Sequence, residues 1–488
     1  MSLSTGEEAS SPSRSSLNES GLKPSRYNWD FRFNDEMDIW FNGMTGASLL
    51  LDRNTSEVFR EALSGNRLVR SDDPIVRRQE RSFAKLLETG GFAVAEECDE
   101  VELLRLRHMT AKIESRGRLG FTIAPTMACN LRCPYCYAFK NAKSMTPEVM
   151  DGVTAFIRRC IEETKAEFVQ VMYVGGEPTV AFADLVRLNE SIARECERAK
   201  CKLSSSVTTN GVLLDDEKIS ALLQPNMALR RIQISFDGPK HIHDQKRYDG
   251  KGGTYDRLLE VLGKLHGRVD VDIRINVDRE VTPDDTVALV SDLVGRKLIG
   301  VRNGKRMMFY LAPVAASTDM CVGVKDKCYS RTEFVRLFRE VYSKFPFGRP
   351  PSGFPEPRPM YCGLVSRYSY AIDSEGWISK CWEALGDERC RVGHVLDGLP
   401  NEHNPVWRKW LLHDPILEKP QCKPCKFLPI CMGGCPQVAF QQGWTEELCD
   451  QLKHDLEDRL VAATRTHLTL KNHRLADPQL AGFFGNKE

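Results

Sequence analysis

Three cysteines fall within eight residues, in the run Cys129-Asn-Leu-Arg-Cys133-Pro-Tyr-Cys136, with no histidine close by. Thiolates at CxxxCxxC spacing on one loop can hold three irons of a four-iron cubane and leave the fourth open to a chelating ligand. Zinc is the competing chemistry, but a structural zinc site wants four protein ligands, usually as two close pairs. Neither the spacing nor a neighbouring histidine supplies the fourth. A second set lies late in the chain. Cys362 is followed by thirteen residues, Gly376, four residues and Cys381; then come Cys422-x2-Cys425-x5-Cys431-x3-Cys435 and, thirteen residues on, Cys449.

The totals say which compartment those thiols belong to. Met1–Ser20 is rich in serine and has no apolar core, so it reads as a disordered lead-in (residues 1–26) and not as a signal peptide. Without an export signal a cytoplasmic, reducing location is expected, where seventeen cysteines point to metal before disulfides. Lys plus Arg (68) and Asp plus Glu (67) cancel, so no bulk attraction to nucleic acid is built in. No apolar run approaches the ~18 residues of a membrane span. At 488 residues the chain exceeds one compact core and is expected to divide into domains.

Hydrophobic periodicity then gives the elements that must position the cysteines. Residues 27–105 read as three short strands, WDFRFN (29–34), MDIWFNG (37–43) and ASLLLD (47–52), followed by helical stretches that include 73–91. Over 115–330, strand candidates at 120–126, 168–174, 202–209, 230–237, 271–278 and 306–313 alternate with helices near 146–165, 181–200, 215–224, 254–266 and 283–296. That alternation predicts a parallel α/β sheet with right-handed crossovers, either an incomplete (β/α)6 barrel or an open doubly wound sheet. In both, chemistry belongs at the C-terminal ends of the strands. Residues 355–455 are rich in Cys, Gly and Pro with little periodicity, so metal ligation would have to supply part of their stability. A helix at 444–465 and a polar tail close the chain, with 456–488 set apart as the helix end and tail. Cys98, Cys160, Cys196 and Cys201 read as small core residues.

CxxxCxxC after the first strand of a (β/α)6 region resembles the radical S-adenosylmethionine (SAM) superfamily. The resemblance implies that Cys129, Cys133 and Cys136 hold a [4Fe-4S] cluster, that SAM chelates the open iron, and that reductive cleavage gives a 5′-deoxyadenosyl radical. Gly175-Gly176-Glu177-Pro178, ending the second strand, is similar to the family's GGEP motif, whose backbone receives the SAM amino group. Ser235 and Asp237-Gly238 resemble its SxDG motif. Arg247 resembles its carboxylate-binding arginine, expected to matter for SAM and not for folding. Tyr135 would place its backbone carbonyl near the adenine. The cofactor carries the chemistry, and an electron donor such as flavodoxin or ferredoxin is implied.

The late cysteines resemble the seven-cysteine SPASM extension of radical SAM peptide maturases. By that resemblance Cys362, Cys381 and Cys435 would hold one auxiliary [4Fe-4S] cluster, and Cys422, Cys425, Cys431 and Cys449 another, three clusters in all. Some relatives place a fourth ligand for the first auxiliary cluster where this chain has Tyr368. Either Cys321, Cys328 or Cys390 completes the cluster or one iron stays open. Such maturases often carry a winged-helix-like module that binds a precursor's leader peptide by strand addition, and 27–105 has that position and element order. The expectation is a maturase acting on a ribosomally made precursor peptide, leader and core, by crosslinking, thioether formation or backbone excision. The alternative is an anaerobic sulfatase maturase making formylglycine. That family places an Asp directly after the second SPASM cysteine, where this chain has Trp382, and usually lacks so long a module ahead of the first cluster.

Overall fold

The computed structural model describes residues 22–64, 85–114, 117–139, 141–345 and 354–473. Residues 1–21, most of the expected 73–91 helix and the tail after 473 therefore lie outside the described residues.

At the front, β1 (Leu22–Pro24) is followed by the antiparallel meander β2 (Asn28–Arg32), β3 (Met37–Asn42) and β4 (Ser48–Asp52), then helix α1 (Arg53–Ser64). β5 (Ala93–Ala95) returns to pair with β1, so residues 22–24 are ordered strand where a disordered lead-in was expected. Helix α2 (Glu100–Ile113) leaves from an Asp99 cap, whose carboxylate accepts from Val101 N and Glu102 N. Cys98 sits half-buried in the turn before it and not in a core.

The centre is built by β6 (Arg118–Ile123), α3 (Pro147–Thr164), β7 (Phe168–Tyr173), α4 (Phe182–Arg198), β8 (Lys202–Thr209), α5 (Asp216–Leu222), β9 (Leu229–Phe236), α6 (Lys240–Lys246), α7 (Tyr255–Leu265), β10 (Asp270–Val277), α8 (Pro283–Gly295), β11 (Gly300–Arg302), β12 (Lys305–Pro313) and α9 (Arg331–Lys344). Strands β6, β7, β8, β9, β10 and β12 pair in parallel and in chain order. A doubly wound sheet would reverse its strand order at a switch point. This one does not, so the periodicity's two options resolve to the incomplete (β/α)6 barrel. Its core is one continuous cluster that runs from Leu119 and Phe121 to Phe309 and contains Cys160, Cys196 and Cys201 as fully covered side chains.

The Cys-rich region continues that sheet. β13 (Ser369–Ile372) adds in parallel to β6, and β14 (Trp377–Ser379) and β15 (Arg391–His394) follow antiparallel. Gly376, at φ +88°, makes the β13–β14 turn. The expected 444–465 helix begins later. Residues 446–448 form a 3₁₀ turn, and Asp450 accepts from Leu452 N at 3.0 Å to start the helix Leu452–His473. A second apolar cluster joins the two ends of the chain, with Tyr27, Trp29, Ile39 and Phe41 packing against Ile416, Leu428, Ile430, Leu456 and Leu460.

Candidate radical and iron–sulfur sites

The loop after β6 carries Cys129, Cys133 and Cys136, all half-buried at the C-terminal end of the strand. Backbone holds it there. Met127 N donates to Lys143 O at 3.0 Å, and Glu177 N, beyond β7, donates to Ala128 O at 2.8 Å. Gly175 and Gly176 allow this approach. A Cβ on Gly175 would lie 2.1 Å from Thr126 O, and one on Gly176 2.3 Å from Ala128 O. The glycines of GGEP thus lock the cysteine loop to the end of β7, whatever else their backbone receives.

Glu177 is fully buried and does not point into open space. Its carboxylate accepts from Thr179 N (3.0 Å), Thr179 Oγ1 (2.5 Å), Thr209 Oγ1 (2.6 Å) and Asn210 N (2.6 Å), tying β7 to the end of β8. Burial pushes its carboxyl up, against those four donors. Asn210 in turn donates to Asn130 Oδ1 at 2.8 Å and reaches Cys129 Sγ at 3.9 Å. Thr209 and Asn210 escaped the sequence reading. Their position at a strand's C-terminal end, ahead of Gly211, was the available signal.

Beyond β9 a buried network forms. Asp237 accepts from Arg247 Nε at 3.0 Å, from Asn276 Nδ2 at 2.9 Å and from the Tyr135 hydroxyl, while Arg247 Nη2 donates to Tyr135 Oη at 2.9 Å. Burial pushes the Asp237 carboxyl up, but the Arg247 charge leads a set of interactions that leaves it below the ordinary carboxylate range. Arg247 Nη1 has no hydrogen-bond partner among the described residues and is free to take an anionic oxygen. Ser235 is covered at the end of β9. Arg247 therefore has a structural partner as well as a free edge, which the expectation of a purely ligand-binding residue did not include. Tyr135 takes part through its side chain too. The Arg247 charge also acts on Cys129 and Cys133, and burial raises the Cys133 thiol to about 11.

The late cysteines form two groups. Cys422, Cys425, Cys431 and Cys449 line one cavity with Leu428, Gly433 and Lys453. Cys362, Cys381 and Cys435 are close enough to act on one another electrostatically. Burial raises the Cys422 thiol to about 11 and raises Cys362, Cys381 and Cys435 as well. Buried thiolates need a compensating cation, and an iron–sulfur core supplies one. Lys419 adds its charge beside Cys422, Cys431 and Cys435 and donates to Gly433 O at 2.9 Å. Tyr368 points away, its hydroxyl 3.3 Å from Glu163 on α3. The donor set at all three places is rich in cysteine thiols, which fits iron–sulfur clusters.

Residues 123–293 match the radical SAM superfamily. The chain contains a radical SAM domain. Over 348 residues it is 26% identical to a cysteine-type anaerobic sulfatase-maturating enzyme of Clostridium perfringens, spanning 65% of this chain and 88% of that protein. It is 23% identical to the PqqA peptide cyclase of Bradyrhizobium diazoefficiens, over 66% of this chain and 82% of that one. Among solved structures, native anSMEcpe with bound AdoMet and Kp18Cys peptide shares the fold at a TM-score of 0.52 and 18% identity, across 73% of this chain and 99% of that one. No helix among the described residues is long and apolar enough to cross a membrane.

Proposed function

We propose that this radical SAM enzyme is a maturase that modifies a ribosomally synthesised precursor peptide, using three [4Fe-4S] clusters. Cys129, Cys133 and Cys136 would hold the SAM-binding cluster, which when loaded and reduced supplies a 5′-deoxyadenosyl radical. The backbone at Gly175 and Gly176 would receive the SAM amino group, and Arg247 Nη1 its carboxylate. Glu177, Asp237 and Asn276 fix those groups in place, Ser235 lies covered beside them at the end of β9, and Tyr135 closes the cradle. Cys362, Cys381 and Cys435 would hold the first auxiliary cluster, and Cys422, Cys425, Cys431 and Cys449 the second. A reduced flavodoxin or ferredoxin would deliver the electron.

The observation that carries the peptide reading is the front module. The β2–β3–β4 meander with α1 and α2 matches the element order of a winged-helix-like recognition unit, and its apolar face packs onto the region of the second auxiliary cysteines. β4 is an edge strand with a half-buried Leu49-Leu50-Leu51 run, suited to strand addition by an extended leader.

The sulfatase-maturase reading keeps one specific support, the 26% identity to an enzyme of that name over most of its length. Against it stands Trp382, in the position where that family keeps an Asp. One experiment separates the two. The full chain, reconstituted anaerobically, is given SAM and reductant with either a short peptide encoded beside it or a sulfatase-derived Cys or Ser peptide. A covalent change on the co-encoded peptide supports the proposal. A hydrazine-trappable aldehyde on the sulfatase peptide alone overturns it.

A further inference from the structure

The helices seal one face of the central sheet and leave the other open. Along β7, β8, β9, β10 and β12 one set of alternate side chains is buried in the helix-covered core, and most of the other set keeps exposed surface. Gln170 is exposed at mid-strand on β7, although β6 and β8 pair on both sides of it. That exposure marks a lumen inside the barrel. On β10, Ile273, Ile275 and Val277 belong to the covered core, so Arg274 and Asn276 face the lumen. Asn276 donates to Asp237 Oδ1 at 2.9 Å, which puts this face beside the candidate SAM site.

Arg274 lies in register with Ser235 on β9 and Tyr310 on β12. Its Nε donates to Asn276 Oδ1 at 2.8 Å, drawing the side chain toward the C-terminal mouth, where the cysteine loop sits. Two other arginines of this region are already paired, Arg231 with Asp272 at 3.1 Å and Arg247 with Asp237 at 3.0 Å. Arg274 is half-buried and has no carboxylate within ion-pair distance among the described residues. Its Nη1 and Nη2 have no hydrogen-bond partner there either. With Nε held, they present two parallel N–H groups at the end of the fork, matched to the two oxygens of a carboxylate. A peptide carbonyl would offer one oxygen and no charge. A partly desolvated, unpaired guanidinium gains most from an anion.

We propose that Arg274 is a specificity-determining residue that receives a carboxylate of the substrate peptide in the lumen, from an Asp or Glu side chain or from the C-terminus. The inference rests on the reading of the substrate as a peptide. Asn276 joins Arg274 to Asp237, so one network holds both this anchor and the candidate SAM cradle. The anchored carboxylate would thereby set which neighbouring C–H faces the radical.

The test uses the reconstituted full chain and whichever of the two peptides above it modifies, so the result for Arg274 is separate from the choice between them. That peptide is compared with variants in which each Asp or Glu becomes Asn or Gln, and with its C-terminal amide. One neutralised carboxylate should raise KM about 10- to 100-fold in the wild type, and its place in the peptide tells side chain from C-terminus. R274Q should show the same rise with the parent peptide and little further rise with the neutralised one. R274K, which keeps the charge without the fork, should fall between R274Q and the wild type. SAM affinity and iron content should match the wild type in both variants. Should R274Q lose its clusters, R274K with full iron content carries the comparison. The inference is overturned if R274Q handles the parent peptide as the wild type does, if the two losses add in full, or if every neutralised peptide behaves like the parent. R274Q with weakened SAM binding and an unchanged peptide KM would overturn it as well, by placing Arg274 on SAM.

Discussion

Arg247→Ala tests the buried network around the candidate SAM site. The substitution removes the guanidinium that donates to Asp237 at 3.0 Å and to Tyr135 at 2.9 Å, and leaves Asp237 covered with only Asn276 and Tyr135 as donors. Removing one member of a buried ion pair costs about 3–5 kcal/mol, because the survivor stays charged and desolvated. Two remaining donors place this case at the lower end, about 3 kcal/mol. Asp237→Asn alone strands Arg247 in the same way. The double variant R247A/D237N leaves no charge behind and should lose less than the two single losses added together, by about 2 kcal/mol.

The assay is urea unfolding of the apo chain, with SAM affinity of the reconstituted chain measured in parallel. Losing the contact to the SAM carboxylate should weaken SAM binding by about 1.5–3 kcal/mol. The pH dependence carries a sign. Asp237 titrates below its ordinary range, so the pair's contribution is present above the unfolded-state value near ~3.9 and disappears as pH falls through the lower folded-state value. An R247A chain as stable as the wild type, with additive single and double variants, would refute a structural role for the pair. R247A with undiminished SAM affinity would refute the ligand role.

The other expectations follow from the same geometry. Anaerobic reconstitution should give roughly twelve irons per chain, and Ala at Cys129, Cys133 and Cys136 should leave about eight and abolish SAM cleavage, as iron and labile-sulfide assays would report. Gly176→Ala puts a methyl 2.3 Å from Ala128 O, so the cysteine loop must move; about four irons should be lost while the auxiliary signals persist. Trp29→Ala empties a covered site between Phe41 and Phe427, whose ring centroids lie 5.7 and 5.4 Å from it. It should cost about 3–5 kcal/mol by chemical denaturation, and lower occupancy of the second auxiliary site. Deleting residues 1–105 would bare Ile416, Leu428 and Leu456, so the truncated chain should precipitate, where soluble protein with full iron content would show the cores to be independent.

The six parallel strands of the barrel were legible because each is long enough to show a period, whereas the short α6 and β11 were not among the expected elements. Observed ends fall within one residue of those expected for five of the six parallel strands, and β6 starts two residues early and ends three residues early, at Ile123. The C-terminal strands β13, β14 and β15 were not legible. At four, three and four residues they are too short for an alternating pattern, and what fixes them is the free edge of β6, which periodicity does not reveal. The motif residues were found by type and spacing, but their physical partners were not. Asn276 sits mid-pattern in a strand, with nothing in its spacing to single it out. Glu177 was visible as part of GGEP, yet its bonds to Thr209 and Asn210 exist only because parallel neighbours β7 and β8 end side by side.

The join between the two ends of the chain follows from an energetic need that composition already implied. A Cys-, Gly- and Pro-rich segment is expected to bury too little apolar surface to offset its own ordering, and metal ligation would supply part of the difference. The remainder comes from outside the segment. Tyr27, Trp29, Ile39 and Phe41 give the second auxiliary region the large side chains it lacks, and Lys426 caps the Trp29 ring from 5.1 Å. Cys422 belongs to that apolar cluster itself, so loading the cluster and packing the front module act on the same residues. Interactions that share a residue are not additive. The front module and the second auxiliary site are therefore expected to gain and lose order together.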